Sequence, residues 1–231
     1  MKRTPVIEER IVMNFCSALN EHLNAIHLLK HPFYQTWDAG KLPENSLKIY
    51  AKEYYYHVSA FPRYISTIHS LCPDLSERQV LLENLMDEEI GEDNHPELWL
   101  RFADGLGVSR EECMRKADFP TTIGLVDGYL ELTKTDYATG LGALYAYERQ
   151  TPDVAATKEK GLREHYGISD PRALSFFTVH MSVDEKHTAD LAHLIEKQGA
   201  QAQEKIQKGA EKGAKLLWSF LDGMMSTVHA H

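Results

Sequence analysis

The chain has 231 residues, is 43% hydrophobic, and carries 34 acidic against 25 basic residues for a net charge of −9. That length suffices for one substantial core in one domain, and the acidic balance without a basic cluster excludes nucleic acid as the main partner. No apolar run reaches signal-peptide or membrane-spanning length, and Cys16, Cys72 and Cys113 form no metal-binding pair, so a cytoplasmic protein with reduced thiols is expected.

Taken in order, the chain reads as helix after helix. Val6 to Lys30 places Ile11, Phe15, Leu19, Leu23 and Ile26 at a helical period. That helix should stop at His31-Pro32, since a residue before proline is pushed out of the helical region. Phe33, Tyr34 and Trp37 form an aromatic knot, and Gly40 to Pro43 a turn. A second helix is expected from Pro43-Glu44 to about His69, kinked at Pro62. Cys72-Pro73-Asp74 closes it, and Ser76 with Glu77 opens a third helix through Ile90. Gly91 and Pro96 then break the pattern around His95. A shorter helix over Glu97–Leu106 follows, and another opens at Ser109. Two more are expected at about Thr121–Lys134 and Thr135–Lys160. Asp170-Pro171 opens a long helix to about Gln198, and Gly199 precedes an amphipathic segment from Gln201 to Val228. No alternating β-branched pattern or internal repeat occurs, so the fold class is all-α, a bundle of seven or more helices.

The long helix after Pro171 carries the chemistry. His180, Asp184 and His187 are spaced i, i+4, i+7, which stacks them on one face, and Phe176 and Leu191 extend that stripe inward. Two imidazoles and a carboxylate aimed at a core are costly unless partnered, and a transition metal is one such partner. A structural hydrogen-bond network is the plainer alternative. Glu148 ends the apolar run Leu141–Tyr147, and Pro152 cannot donate to its carbonyl, so the helix should be kinked or bulged there. Glu88 and His95, seven apart, would share a face of an unbroken helix, although Glu88 alone reads as an exposed helix acid. Three carboxylates and three imidazoles without a thiolate suit a pair of iron or manganese ions. Only Asp184/His187 forms the acid-x-x-His pair of ferritin-like bundles, so that architecture is not expected. Tyr54-Tyr55-Tyr56 with Phe61 reads as packing, Lys158 as a solvated helix lysine, and His22, His27, His57, His69 and His193 as unremarkable.

Five segments carry a family resemblance: His31-Pro-Phe-Tyr34…Trp37, Tyr50-Ala-Lys-Glu-Tyr-Tyr…Ala-Phe-Pro-Arg-Tyr, Leu85-Met-Asp-Glu-Glu…Asn94-His95…Leu98-Trp99, Ala143-Leu-Tyr-Ala-Tyr147-Glu148, and His180-x3-Asp184-x2-His187. Over residues 12–225 the chain resembles the heme-oxygenase-like dimetal oxidase superfamily, in the branch of the chlamydial proteins associating with death domains. Pyrroloquinoline quinone synthesis protein C is a more distant cousin. The resemblance implies one heme-oxygenase-like domain over residues 1–231, with residues 200–231 a C-terminal helix packing on the bundle. It implies two metal ions (iron/iron or iron/manganese) on Glu88, His95, Glu148, His180, Asp184 and His187, no heme, dioxygen as co-substrate and an external reductant. It further implies p-aminobenzoate formed for folate from the chain's own side chains, with Tyr34 matching the consumed tyrosine and Lys158 the amino donor. Tyr50 and Tyr147 match tyrosines that relay electrons. Phe176 departs from the pattern, standing where the chlamydial protein has a tyrosine. A homodimer is expected from the fold class. Two other readings remain open at this stage: a dimetal or cofactor-free oxidase of a small external metabolite, and a protein-interaction module, for which no segment of the sequence marks a surface.

Overall fold

The computed structural model describes residues 14–228, and every regular element among them is helical. The expected first helix is shorter than its periodicity suggests. Val6 and Ile11 lie outside the described residues, and α1 (Phe15–Leu23) gives way to two 3₁₀ turns, Asn24–Ile26 and Leu28–Lys30. Local and tertiary hydrogen bonds override the apolar period here. His27 is extended and its Nδ1 accepts from the Leu29 N–H, while the Leu28 N–H is taken by Gln150 Oε1 from a distant helix junction.

Helix α2 (Pro32–Asp38) holds the aromatic knot, with Pro32 in its first turn and the His31 ring capping the Phe33 N–H. Helix α3 (Glu44–Leu71) continues through Pro62 and runs through the middle of the bundle, touching α4 (Leu75–Glu89), α5 (His95–Gly105), α7 (Pro120–Thr135) and α8 (Tyr137–Glu148). A one-turn helix, α6 (Arg110–Cys113), is closed by the Ser109/Glu112 capping box.

The expected continuous helix from Thr135 to Lys160 is instead two, α8 and α9 (Thr151–His165). Pro152 sits in the first turn of α9, and the carbonyls left open by the break are taken by side chains. Gln150 Nε2 donates to Ala146 O and Thr151 Oγ1 to Tyr147 O. The chain is thereby redirected directly after Glu148. Helix α10 (Pro171–Glu196), capped by Asp170, lies against α5, α8 and α9, and α11 (Ala200–Met225) lies along α8 and α7. Helices α8 and α11 approach so closely that a Cβ on Gly142 would strike the Ile206 backbone, and one on Gly209 the Thr139 backbone. None of the described helices is long and apolar enough to cross a membrane.

Candidate metal centre

The inward stripe of α10 is buried along its length, from Phe176 through His180, Asp184 and His187 to Leu191. Each histidine on it has one ring nitrogen fixed and the other turned inward. His180 Nδ1 lies 2.6 Å from the Phe176 carbonyl, which can only accept, so Nδ1 carries the proton and Nε2 keeps its lone pair for the site. His187 Nε2 is 3.0 Å from Asp87 Oδ2, leaving a buried Nδ1 without a hydrogen-bond partner, 3.7 Å from Asp184 Oδ1.

Glu88 is not the exposed acid its neighbours suggest. It shares a buried face of α4 with Leu81 and Asn84 and is 4% exposed. It meets His95 without a shared helix. Helix α4 ends at Glu89, Gly91 adopts φ +90°, and Asn94 caps α5 so that His95 begins it, facing back. His95 Nδ1 then stands 2.9 Å from Glu88 Oε1, yet off the line of a hydrogen bond. Two ligand atoms at right angles around one ion, with bonds of about 2.1 Å, stand about 3 Å apart. Ligand atoms of Glu88, His95 and His180 all lie within 4.8 Å of one another, and the His95 and His180 ring centres are 4.2 Å apart. This trio can hold one cation.

Glu148, Asp184 and His187 form the remaining donor set. Glu148 Oε1 accepts from Asn84 Nδ2 at 2.9 Å, while Glu148 Oε2 and Asp184 Oδ2 are buried with no partner. Burial, reinforced by Asp184 and Glu88, pushes the Glu148 carboxyl up to about 8. Burial likewise raises Asp184 to about 6, against the pull of His187. For His187 burial acts downward, but Asp184, Glu148 and Asp87 together outweigh it and hold the imidazole at about 9. His180 is driven well below the ordinary range by burial and by His95. Orphaned carboxylate oxygens beside an orphaned imidazole nitrogen are costly in a dry interior. Divalent cations would satisfy all of them, so the residues fit the group.

The phenols cluster on the other side of Phe176. Tyr34 and Tyr50 share a hydrogen bond of 2.9 Å, and Tyr54 donates to Tyr147 at 3.1 Å. Lys158, far from being solvated, is 4% exposed. Its Nζ faces the rings of Tyr34, Tyr50, Tyr54 and Trp99 at 4.9–5.8 Å, and among the described residues it pairs with no carboxylate. Burial alone lowers its pKa to about 7. Tyr147 and Phe176 line both the cleft at Glu88, His95 and His180 and the narrow cavity that holds Lys158, so the two clusters share a wall.

The family of iron-containing redox enzymes matches residues 48–218. The chain belongs to that family. It has the heme-oxygenase-like fold characteristic of its members. It is 38% identical to a 4-aminobenzoate synthase from Chlamydia muridarum, over 96% of each chain. A pyrroloquinoline-quinone synthase from Gluconobacter oxydans is more distant, at 25% over 84% of each. Among solved structures, a TenA homolog from Pseudomonas syringae superposes with a TM-score of 0.80 at 17% identity, covering 98% of this chain and 99% of that one.

Within this iron-containing redox family member, sequence reasoning missed several residues at the site. Asn84 orients Glu148, and its signal was a polar residue at the i, i+3, i+7 spacing of Leu81, Asn84 and Glu88. Asp87 holds His187 Nε2 at 3.0 Å, as a carboxylate behind a candidate ligand imidazole would, and no linear spacing links the two. Tyr54 was set aside as packing, though it lies four residues after Tyr50 on the same helix face. His57, read as unremarkable, is fully buried against Tyr54, Tyr64, Tyr129 and Tyr147, and burial pulls it down to about 3.

Proposed function

We propose that this chain forms p-aminobenzoate from its own Tyr34 and Lys158, using two metal ions, iron/iron or iron/manganese, held by Glu88, His95, Glu148, His180, Asp184 and His187. The activity in the name of the 4-aminobenzoate synthases supports the product, and the donor set described above supports the metals. When bound, such ions reduce dioxygen with electrons from an external donor and supply oxidising equivalents inside a dry pocket.

The observation that carries the self-consuming route is Lys158. A buried ammonium with no carboxylate partner is expensive, and here the cost lowers its pKa to about 7. That shift favours a neutral, nucleophilic amine, and it stands 5.1 Å from the centre of the Tyr34 ring. In p-aminobenzoate the nitrogen stands para to the carboxyl carbon, as the hydroxyl of tyrosine stands para to Cβ. The lysine nitrogen must therefore replace the Tyr34 oxygen, which leaves as water while the Lys158 Cε–N bond breaks. The Tyr34 Cα–Cβ bond must break as Cβ is oxidised to the carboxyl carbon, with dioxygen as the oxidant. Tyr50, hydrogen-bonded to Tyr34, fixes the phenol and offers a route for its proton.

The test is isotopic. Chains grown with side-chain ¹⁵N-lysine and ring-¹³C-tyrosine are loaded with iron and manganese and exposed to dioxygen with a reductant. Doubly labelled p-aminobenzoate, never exceeding one molecule per chain, is expected, with loss of the Tyr34 side chain in the intact mass. Unlabelled product, or many turnovers per chain, would move the activity to an external substrate.

A further inference from the structure

The cleft at the candidate metal centre is lined by Val58, Phe61, Glu88, His95, Tyr147, Phe176 and His180, and Tyr147 is its one phenol. Phe176 cannot form a phenoxyl, so oxidation that starts at this cleft and ends at Tyr34 has to leave through Tyr147. Tyr147 is not hydrogen-bonded to Tyr34 or to Tyr50. Its phenol partner is Tyr54, whose hydroxyl donates to the Tyr147 oxygen at 3.1 Å. Tyr54 also stacks on Tyr50, with ring centres 5.3 Å apart and planes 15° from parallel. Tyr50 in turn shares the 2.9 Å hydrogen bond with Tyr34. All four phenols are buried, which keeps competing water from the line.

We propose that Tyr54 is the relay that joins the metal-side phenol Tyr147 to the Tyr50/Tyr34 pair, an assignment that rests on the function proposed above. The step is a hydrogen-atom transfer along an existing hydrogen bond. Tyr147, as a neutral phenoxyl after giving one electron and its proton to the oxidant derived from dioxygen, takes the hydroxyl hydrogen of Tyr54. The Tyr54 O–H bond breaks, the Tyr147 O–H bond re-forms, and the proton and electron move together. Tyr147 is reduced, Tyr54 is oxidised, and no charge is left in the apolar interior, where an isolated ion would be costly. Tyr54, left as a neutral phenoxyl, then takes an electron from Tyr50 across the stack together with the Tyr50 hydroxyl proton. The Tyr50 O–H bond breaks, the Tyr54 O–H bond re-forms, and Tyr50 becomes the phenoxyl beside Tyr34. The Tyr54 ring is also the nearest of the four around Lys158 Nζ, at 4.9 Å, so the oxidised ring sits beside the amine that must stay near Tyr34.

The test places 3-aminotyrosine, a more easily oxidised phenol, at position 54 of the full chain. The protein is loaded with iron and manganese, mixed with dioxygen and frozen for electron paramagnetic resonance. An aminotyrosyl radical is expected, and it should vanish when Tyr147→Phe is added. Tyr54→Phe, which keeps the ring and its stack, should retain the melting temperature and metal content of the parent while p-aminobenzoate and the mass loss at Tyr34 are both lost. Absence of the aminotyrosyl signal overturns the relay, as does product from Tyr54→Phe at the parent level. The function fails separately, if the unmodified parent yields no p-aminobenzoate; an aminotyrosyl radical that depends on Tyr147 would support the relay even then.

Discussion

Replacing Lys158 by Met should stabilise the metal-free protein while abolishing the product. The side chains are similar in length, and the lysine nitrogen has no carboxylate partner among the described residues. Its pKa falls from 10.5 in the open chain to about 7 in the fold. The unfolded chain thus binds more protons than the folded one between those values, and stability rises with pH across that window. Below about pH 7 the penalty is at its full size of about 5 kcal/mol; at pH 7 it is about 4, and by pH 9 about 2. Two effects reduce the gain from removing it. Contact of the desolvated ammonium with the surrounding rings returns about 2 kcal/mol, and the shape change in the core costs about 1 kcal/mol. Burial still wins, leaving roughly 1 kcal/mol at pH 7, or a rise of roughly 2–4 °C in melting temperature for a chain of this size. The assay is thermal unfolding of both chelator-treated proteins at pH 7 and pH 9. The advantage of Lys158→Met should shrink at the higher pH. A variant less stable than the parent at pH 7, or an advantage that does not change with pH, would mean that the ring cage holds Lys158 as a comfortable cation. It would then be no nucleophile, and the amine chemistry assigned to it would be wrong.

Three further outcomes are expected. Gly142→Leu should cost about 3 kcal/mol or more in urea unfolding, because α8 and α11 meet backbone to backbone at Ile206 and neither can retreat without opening the core; an unchanged midpoint would contradict that packing. Gly91→Val should strain the φ +90° turn that returns His95 to Glu88, weakening cobalt binding by roughly tenfold or more in a spectroscopic titration, with helix content unchanged by circular dichroism. Metal uptake should release protons: in the metal-free chain Glu148 keeps its proton up to about 8 and His187 up to about 9, yet ligands bind deprotonated. Cobalt or zinc affinity should therefore tighten steeply from pH 6 to pH 9, measured by competition with a chelator, and a flat profile would remove Glu148 and His187 from the ligand set.

The parts of this molecule legible in its sequence are those that one helix settles alone. The α10 stripe was readable because i, i+4, i+7 on an unbroken helix is a geometric statement. The break after Glu148 was readable as a distortion because Pro152 lacks an N–H, although the periodicity still suggested one helix where there are two. What was not readable depends on how separate helices meet. Glu88 has acidic neighbours and looks solvated until α4 lies against α3 and α10, and Lys158 looks solvated until α9 turns it towards the rings of α2 and α3. The family resemblance supplied Lys158, while Glu88 entered as a candidate through its seven-residue spacing to His95.

That division also explains how the site is built. Two of the meetings across the bundle are set by helix ends rather than by helix middles. His95 is brought to Glu88 by the Gly91 turn and the Asn94 cap, and Glu148 is the last residue of α8. The same α8–α9 break supplies Gln150, which ties Leu28 and so the 3₁₀ path leading to Tyr34. A single interruption near Pro152 thereby fixes a candidate ligand on one side and the approach to the candidate substrate tyrosine on the other. Geometry at a helix end is held by a few directional hydrogen bonds, whereas the middle of a helix is held by its whole ladder. The two clusters can thus share the wall of Tyr147 and Phe176 while each is adjusted by its own turn, as the proposed pairing of an oxidising and a nucleophilic cluster would require.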